Sequence, residues 1–75
     1  TEYVVIELKR NQTSDQTIGQ IARYMQWVEE NLNKGVKGVI VCGKWDEKLD
    51  YARKRMGDVE VLLYEVNFSL KEYKK

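Results

Sequence analysis

The sequence predicts an α/β fold in the order β-α-β-α-β, with a small and mainly parallel sheet. Three observations lead there. Two segments with helical periodicity alternate with three short runs rich in β-branched and aromatic residues. A helix between consecutive strands implies a parallel pair joined by a right-handed crossover. A length of 75 residues leaves room for one domain, residues 1–75, with a single two-layer core.

The first strand is Tyr3-Val4-Val5-Ile6-Glu7-Leu8-Lys9, apolar on both faces until Glu7, as expected of a strand covered on two sides. From Asn11 to Asp15 the chain turns polar, and Thr13, Ser14 and Asp15 offer N-cap oxygens. Ile18, Ile21, Ala22, Met25, Val28 and Leu32 then follow the i, i+3, i+4, i+7 rule of an amphipathic helix running to about Asn33, with Gly35 as its stop. Val36 to Cys42 reads as a short buried strand, and Gly43-Lys44-Trp45 as the loop after it. Asp46 caps a second helix through about Met56, with Leu49, Ala52 and Met56 on its apolar side, Tyr51 beside them and Gly57 at its end. Val59 to Val66 is the third strand, followed by a polar and basic tail. A sheet this narrow leaves the first strand with an open apolar edge, which is a pairing hazard unless something covers it. The expected cover is either further strands upstream or the same strand of a second copy, so a fragment or a homo-oligomer joined through that edge is anticipated. A chain that opens on Thr1 fits a processed product, an excised domain or a fragment.

Composition narrows the chemistry. About 43% of residues are apolar and 33% charged, which is globular composition. Thirteen basic against twelve acidic residues leave a formal charge of +1, a balance that neither requires nor excludes a basic nucleic-acid face. The absence of His removes imidazole catalysis and His-containing zinc sites. The single Cys42 can form neither an internal disulfide nor a Cys-cluster metal site, and at the end of a buried strand it reads as a small core residue. No apolar run approaches the ~18 residues of a membrane span, no signal peptide opens the chain, and a cytoplasmic location is expected. There is no Walker A loop and no G-x-G-x-x-G after the first strand.

Ligand sites in parallel sheets gather at the carboxyl ends of the strands. Glu7 and Lys9 stand at such an end and, two residues apart, project from the same face. A carboxylate beside an ammonium can hold a divalent cation, orient a water and stabilise charge on a phosphoryl oxygen. The same pair can equally be a strand-end salt bridge that keeps the edge polar. On the long helix Gln20 and Tyr24 are i, i+4 and share a face beside the apolar stripe. Their amide and hydroxyl can reach a phosphate backbone, or can be a solvated amide and a core-flanking ring.

Taken together, Glu7-Leu8-Lys9 on a strand, a polar linker, and a helix with Gln20-Ile21-Ala22-Arg23-Tyr24 resemble the PD-(D/E)XK, restriction-endonuclease-like nuclease superfamily. Val-Val-Ile-Glu-Leu-Lys-Arg, Thr-Ser-Asp-Gln-Thr-Ile-Gly-Gln-Ile-Ala-Arg-Tyr-Met and Val-Lys-Gly-Val-Ile-Val are similar to the carboxy-terminal nuclease domain of the archaeal endonuclease NucS family. The similarity continues through Val59–Val66 to Phe68-Ser69-Leu70. It implies a partial restriction-endonuclease-like core that hydrolyses DNA with Mg²⁺ or Mn²⁺. In that reading Glu7 and the main-chain carbonyl of Leu8 ligate the metal, Lys9 is the catalytic lysine, and Gln20 and Tyr24 support the site and touch DNA. The chain departs from the family pattern in one respect: only Thr1 and Glu2 precede Tyr3, so the Asp of the preceding strand, the other main metal ligand, is not in it. Metal affinity should therefore be weak and the isolated chain inactive. Asp15 and Asp46 lie near strand ends, but the resemblance gives neither a place in the metal site. The alternative is a non-catalytic dimeric α/β module that binds nucleic acid or protein.

Lys44 and Trp45, in the loop after the second strand, are further candidates for DNA contact, a stacking ring beside a cation. Trp45 is equally suited to packing back onto the domain, which is the more usual fate of a loop Trp. Trp27 falls on the side of Gln20. Arg53-Lys54-Arg55 points in several directions on its helix and reads as a solvated face. Lys71, Lys74 and Lys75 give the tail a modest basic bias.

Overall fold

The computed structural model describes residues 2–66 and 69–73. Thr1, Phe68, Lys74 and Lys75, on which parts of the sequence reading fell, lie outside the described residues. The elements are β1 (Glu2–Leu8), α1 (Ser14–Leu32), β2 (Gly35–Cys42), α2 (Glu47–Arg55) and β3 (Val59–Leu63). The three strands form one parallel sheet in the order β1-β2-β3, with Glu7 opposite Ile40 and Ile40 opposite Val61. The α/β class and the β-α-β-α-β order are those the sequence predicts. Among the described residues no helix is long and apolar enough to cross a membrane.

The element boundaries follow from local chemistry. Thr13 caps α1 in a reciprocal box: its hydroxyl accepts from the Gln16 amide, and its own amide donates to the Gln16 side chain. The helix ends at about Asn33, as the sequence predicts, but its cap is Asn33 itself and not Gly35. Asn33 takes the left-handed conformation at φ 49° and returns its N–H to the Glu29 carbonyl, which frees Gly35 to open β2. Asp46 caps α2 by accepting from the amides of Lys48 and Leu49. The third strand is shorter than its apolar run suggests. It ends at Leu63, because β2 ends at Cys42 and offers only one further carbonyl, which the Tyr64 amide takes at 3.0 Å.

The core is thin: Ile21 and Met25 from α1, Ile40 and Cys42 from β2, Leu49 from α2 and Val59 from β3. Gly38 lets α1 approach the sheet, since a Cβ there would stand 2.6 Å from the Met25 sulfur and 2.9 Å from the Ile21 terminal methyl. Buried Thr17 satisfies its hydroxyl by donating to the Thr13 carbonyl at 3.1 Å.

The expectation that β1 is covered on two sides is overturned. α1 packs on β1 and β2, while α2 packs on β3 and against α1. Right-handed crossovers in a sheet that grows steadily in one direction put every helix on the same face. The opposite face carries Val4, Ile6, Leu8 and Leu62, all exposed, with Ile6 at 66%. Leu32 and Tyr51, read as lying on or beside apolar stripes, also stand exposed, beyond the reach of a sheet this narrow.

Candidate functional site

The carboxyl ends of all three strands converge on one rim. Glu7 and Lys9 are both half-buried and share the helix-facing side, while Leu8 turns to the bare face. The Lys9 amide extends the ladder by donating to the Val41 carbonyl at 2.9 Å. In a parallel ladder this alternation aims the main-chain groups of Leu8 at the open edge of β1. There the Leu8 carbonyl accepts from the Gln12 side-chain amide at 3.0 Å, and the Gln12 carbonyl oxygen accepts from the Arg10 amide at 3.0 Å. One glutamine thereby fixes the backbone on both sides of Lys9.

The salt-bridge reading of the first pair finds no support. Among the described residues Glu7 makes no ion pair with Lys9, and its carboxylate accepts no hydrogen bond. The positive charge of Lys9 is felt instead by Asp46. Asp46 is the polar anchor of the rim: its Oδ2 accepts from the buried Ser14 hydroxyl at 2.6 Å, and its Oδ1 takes the two capping amides. The Ser14 hydrogen bond first, then the capping amides and nearby Lys9, hold its carboxyl below the usual carboxylate range against the opposing cost of burial.

The position of Gln20 and Tyr24 follows from the packing of α1. Ile21 and Met25 lie over Gly38, and Gly38 pairs with Val5, so Gln20 sits at the height of the last residues of β1. One flank of α1, with Ala22 and Gln26, turns to Met56 after α2. Gln20 and Tyr24 occupy the other flank at about 100° per residue, the one on the β1 side. Gln20 is half-buried, Tyr24 is exposed, and neither side chain has a hydrogen-bond partner among the described residues. Trp27, also exposed, continues that flank.

Beyond Lys9, toward β2 and β3, a crevice of about 650 Å³ is lined by Lys9, Arg10, Cys42, Gly43, Lys44, Tyr64, Glu65 and Val66. Lys44 belongs to it. Trp45 does not: it stands 68% exposed and does not pack back onto the domain, since Asp46 immediately after it is committed to capping α2. Arg10 and Tyr64 escaped the sequence reading. A basic residue one step past a strand end was the available signal for Arg10, whereas Tyr64 was hidden inside the apolar run assigned to β3. Two cations of α2 are committed elsewhere: Lys54 and Arg53 both pair with Asp50, and their contacts hold the Asp50 carboxyl below its ordinary range. Cys42 is buried, a core residue as expected.

The donor set does not fit a resident divalent ion. At the end of β1 Glu7 is the carboxylate free to serve, the Leu8 carbonyl already accepts from Gln12, and both oxygens of Asp46 are occupied. Among the described residues no three acidic or thiol side chains come together. Hard divalent cations want several oxygen ligands, which one carboxylate and one shared carbonyl do not supply. Compared with protein-family models, with curated proteins and with solved structures, the chain matches none.

Proposed function

We propose that the chain carries the Glu-x-Lys half of a phosphodiester-hydrolysing centre, the later part of a DNA endonuclease core of the PD-(D/E)XK kind. The supporting observation is the common side shared by Glu7 and Lys9 at the carboxyl end of β1, with Gln20 and Tyr24 on the flank of α1 beside that strand. In this reading Lys9 faces the charge that develops on a phosphoryl oxygen. The unpartnered Glu7 carboxylate orients the attacking water. The Gln20 amide and Tyr24 hydroxyl hold the nucleic-acid backbone in place. Because the residues present do not form a metal site, the chain alone is inactive and needs a second carboxylate from elsewhere.

The test is calorimetry with Mn²⁺, run beside a plasmid-cleavage assay. No heat is expected from the chain alone, because substrate phosphates must complete the coordination. Heat should appear once DNA is added and disappear in Glu7→Ala. Cleavage by the isolated chain that survives both Glu7→Ala and Lys9→Ala overturns the assignment.

The exposed Val4, Ile6 and Leu8, on a strand with an unpaired edge, favour a second reading: a non-catalytic module that dimerises through β1. Concentration-dependent dimerisation, combined with Mn²⁺ heat that Glu7→Ala leaves unchanged, selects that reading over the first.

A further inference from the structure

The rim crevice shares Lys9 with the Glu7 side of β1 and adds Arg10, Lys44 and Tyr64, which that side does not use. Each strand end contributes a wall: Lys9 and Arg10 follow β1, Gly43 and Lys44 follow β2, and Tyr64 follows β3. Three cationic side chains face one carboxylate, that of Glu65. Among the described residues none of Lys9, Arg10 and Lys44 is in a salt bridge, whereas Lys48, Arg53 and Lys54 on α2 all are. The three cations that line this cavity are therefore without an ion-pair partner among the described residues. An unneutralised cationic cavity selects an anion, and the guanidinium and ammonium groups suit the oxygens of a phosphate.

The aromatic wall narrows the ligand further. Tyr64 lies against Gly43: a Cβ at Gly43 would stand 3.1 Å from both the ring carbon that bears the hydroxyl and the hydroxyl oxygen. The absence of a side chain at Gly43 is what allows the ring to rest over the β2–α2 turn. Its amide is tied to the Cys42 carbonyl, so the backbone behind the ring is fixed. The residue remains about half exposed, leaving ring surface to meet a ligand. A partly open aromatic ring lining the same crevice as three cations suits a planar base joined through a sugar to a phosphate.

We propose that this crevice is a nucleotide subsite in which Lys9, Arg10 and Lys44 hold the phosphate and Tyr64 stacks the base. The nucleotide is either free or one unit of a single strand, and the two sources share this chemistry. The inference deepens the hydrolase reading and rests on it for the nature of the ligand, but it requires no metal.

The experiment is fluorescence polarisation of a labelled oligothymidylate with the 75-residue chain in EDTA, with thymidine monophosphate and inorganic phosphate as competitors. Tyr64→Ala should weaken oligothymidylate binding about tenfold, while Tyr64→Phe, which keeps the ring, retains it. Lys44→Ala should reduce the slope of log affinity against log salt by about 0.7. Both side chains are exposed, and circular dichroism verifies that each variant folds. Oligothymidylate binding tighter than the monophosphate, with the same dependence on Tyr64, assigns the subsite to a strand; equal affinities assign it to a free nucleotide. Undiminished binding by Tyr64→Ala, or inorganic phosphate competing as well as the monophosphate, overturns the proposal. Since metal is absent throughout, failure here leaves the Mn²⁺ test untouched, and the two failures are told apart by their readouts.

Discussion

The two faces of the sheet are made from the same three strands and meet opposite surroundings. On the helix-facing side Ile40 is fully buried in one cluster with Ile21, Met25 and Leu49, and Gly38 gives up its side chain so that α1 can approach. On the other side Ile6, one residue before the Glu7 that pairs with Ile40, stands 66% exposed. Side chains of equal hydrophobicity thus contribute very differently to folding, because only one side has a layer to pack against. The difference teaches that the domain's stability rests on one side of its sheet, and that the other side is surface available for contact.

Three substitutions probe that contrast. Ile40→Ala should have the largest effect, a loss of about 2–5 kcal/mol in urea unfolding, and in so thin a core that can abolish cooperative folding altogether. Gly38→Ala comes next. Its new methyl collides with Met25 and Ile21, both buried, and should cost about 1–3 kcal/mol. Ile6→Thr should be the mildest, within about 0.5 kcal/mol of the parent in the same measurement. A loss at Ile6 comparable to that at Ile40 would mean that the bare face is covered in solution, and sedimentation at several concentrations would then reveal the partner as a second copy.

Much of the fold was legible because periodicity reports local structure directly. The stripe of Ile21 and Met25, the cap at Asp46 and the burial of Cys42 all follow from nearest-neighbour chemistry. Strand order is not local. The same β-α-β-α-β sequence laid out with β1 in the centre would place its helices on opposite faces, and nothing in Tyr3–Leu8 distinguishes a strand covered twice from one covered once. The end of the first helix near Asn33 was legible, but its capping residue was not: Gly35 is the customary signal, yet Asn33 tolerates the left-handed turn and takes that role. At the rim, Glu7, Lys9, Gln20, Tyr24 and Lys44 were legible as residue types at suggestive spacings. The pairing of Tyr64 with Gly43 was not, because it depends on where β3 runs out of partner, a property of two strands together.

The hydrogen bond from Ser14 to Asp46 spans 32 positions of sequence. It joins the residue that begins one helix to the residue that caps the other, and so works as a clasp between two crossover units that otherwise touch only lightly. Fraying at either helix start withdraws a partner from its counterpart, which makes the two openings one cooperative event. The rim where the strands end owes its shape to a serine hydroxyl that takes no part in lining it.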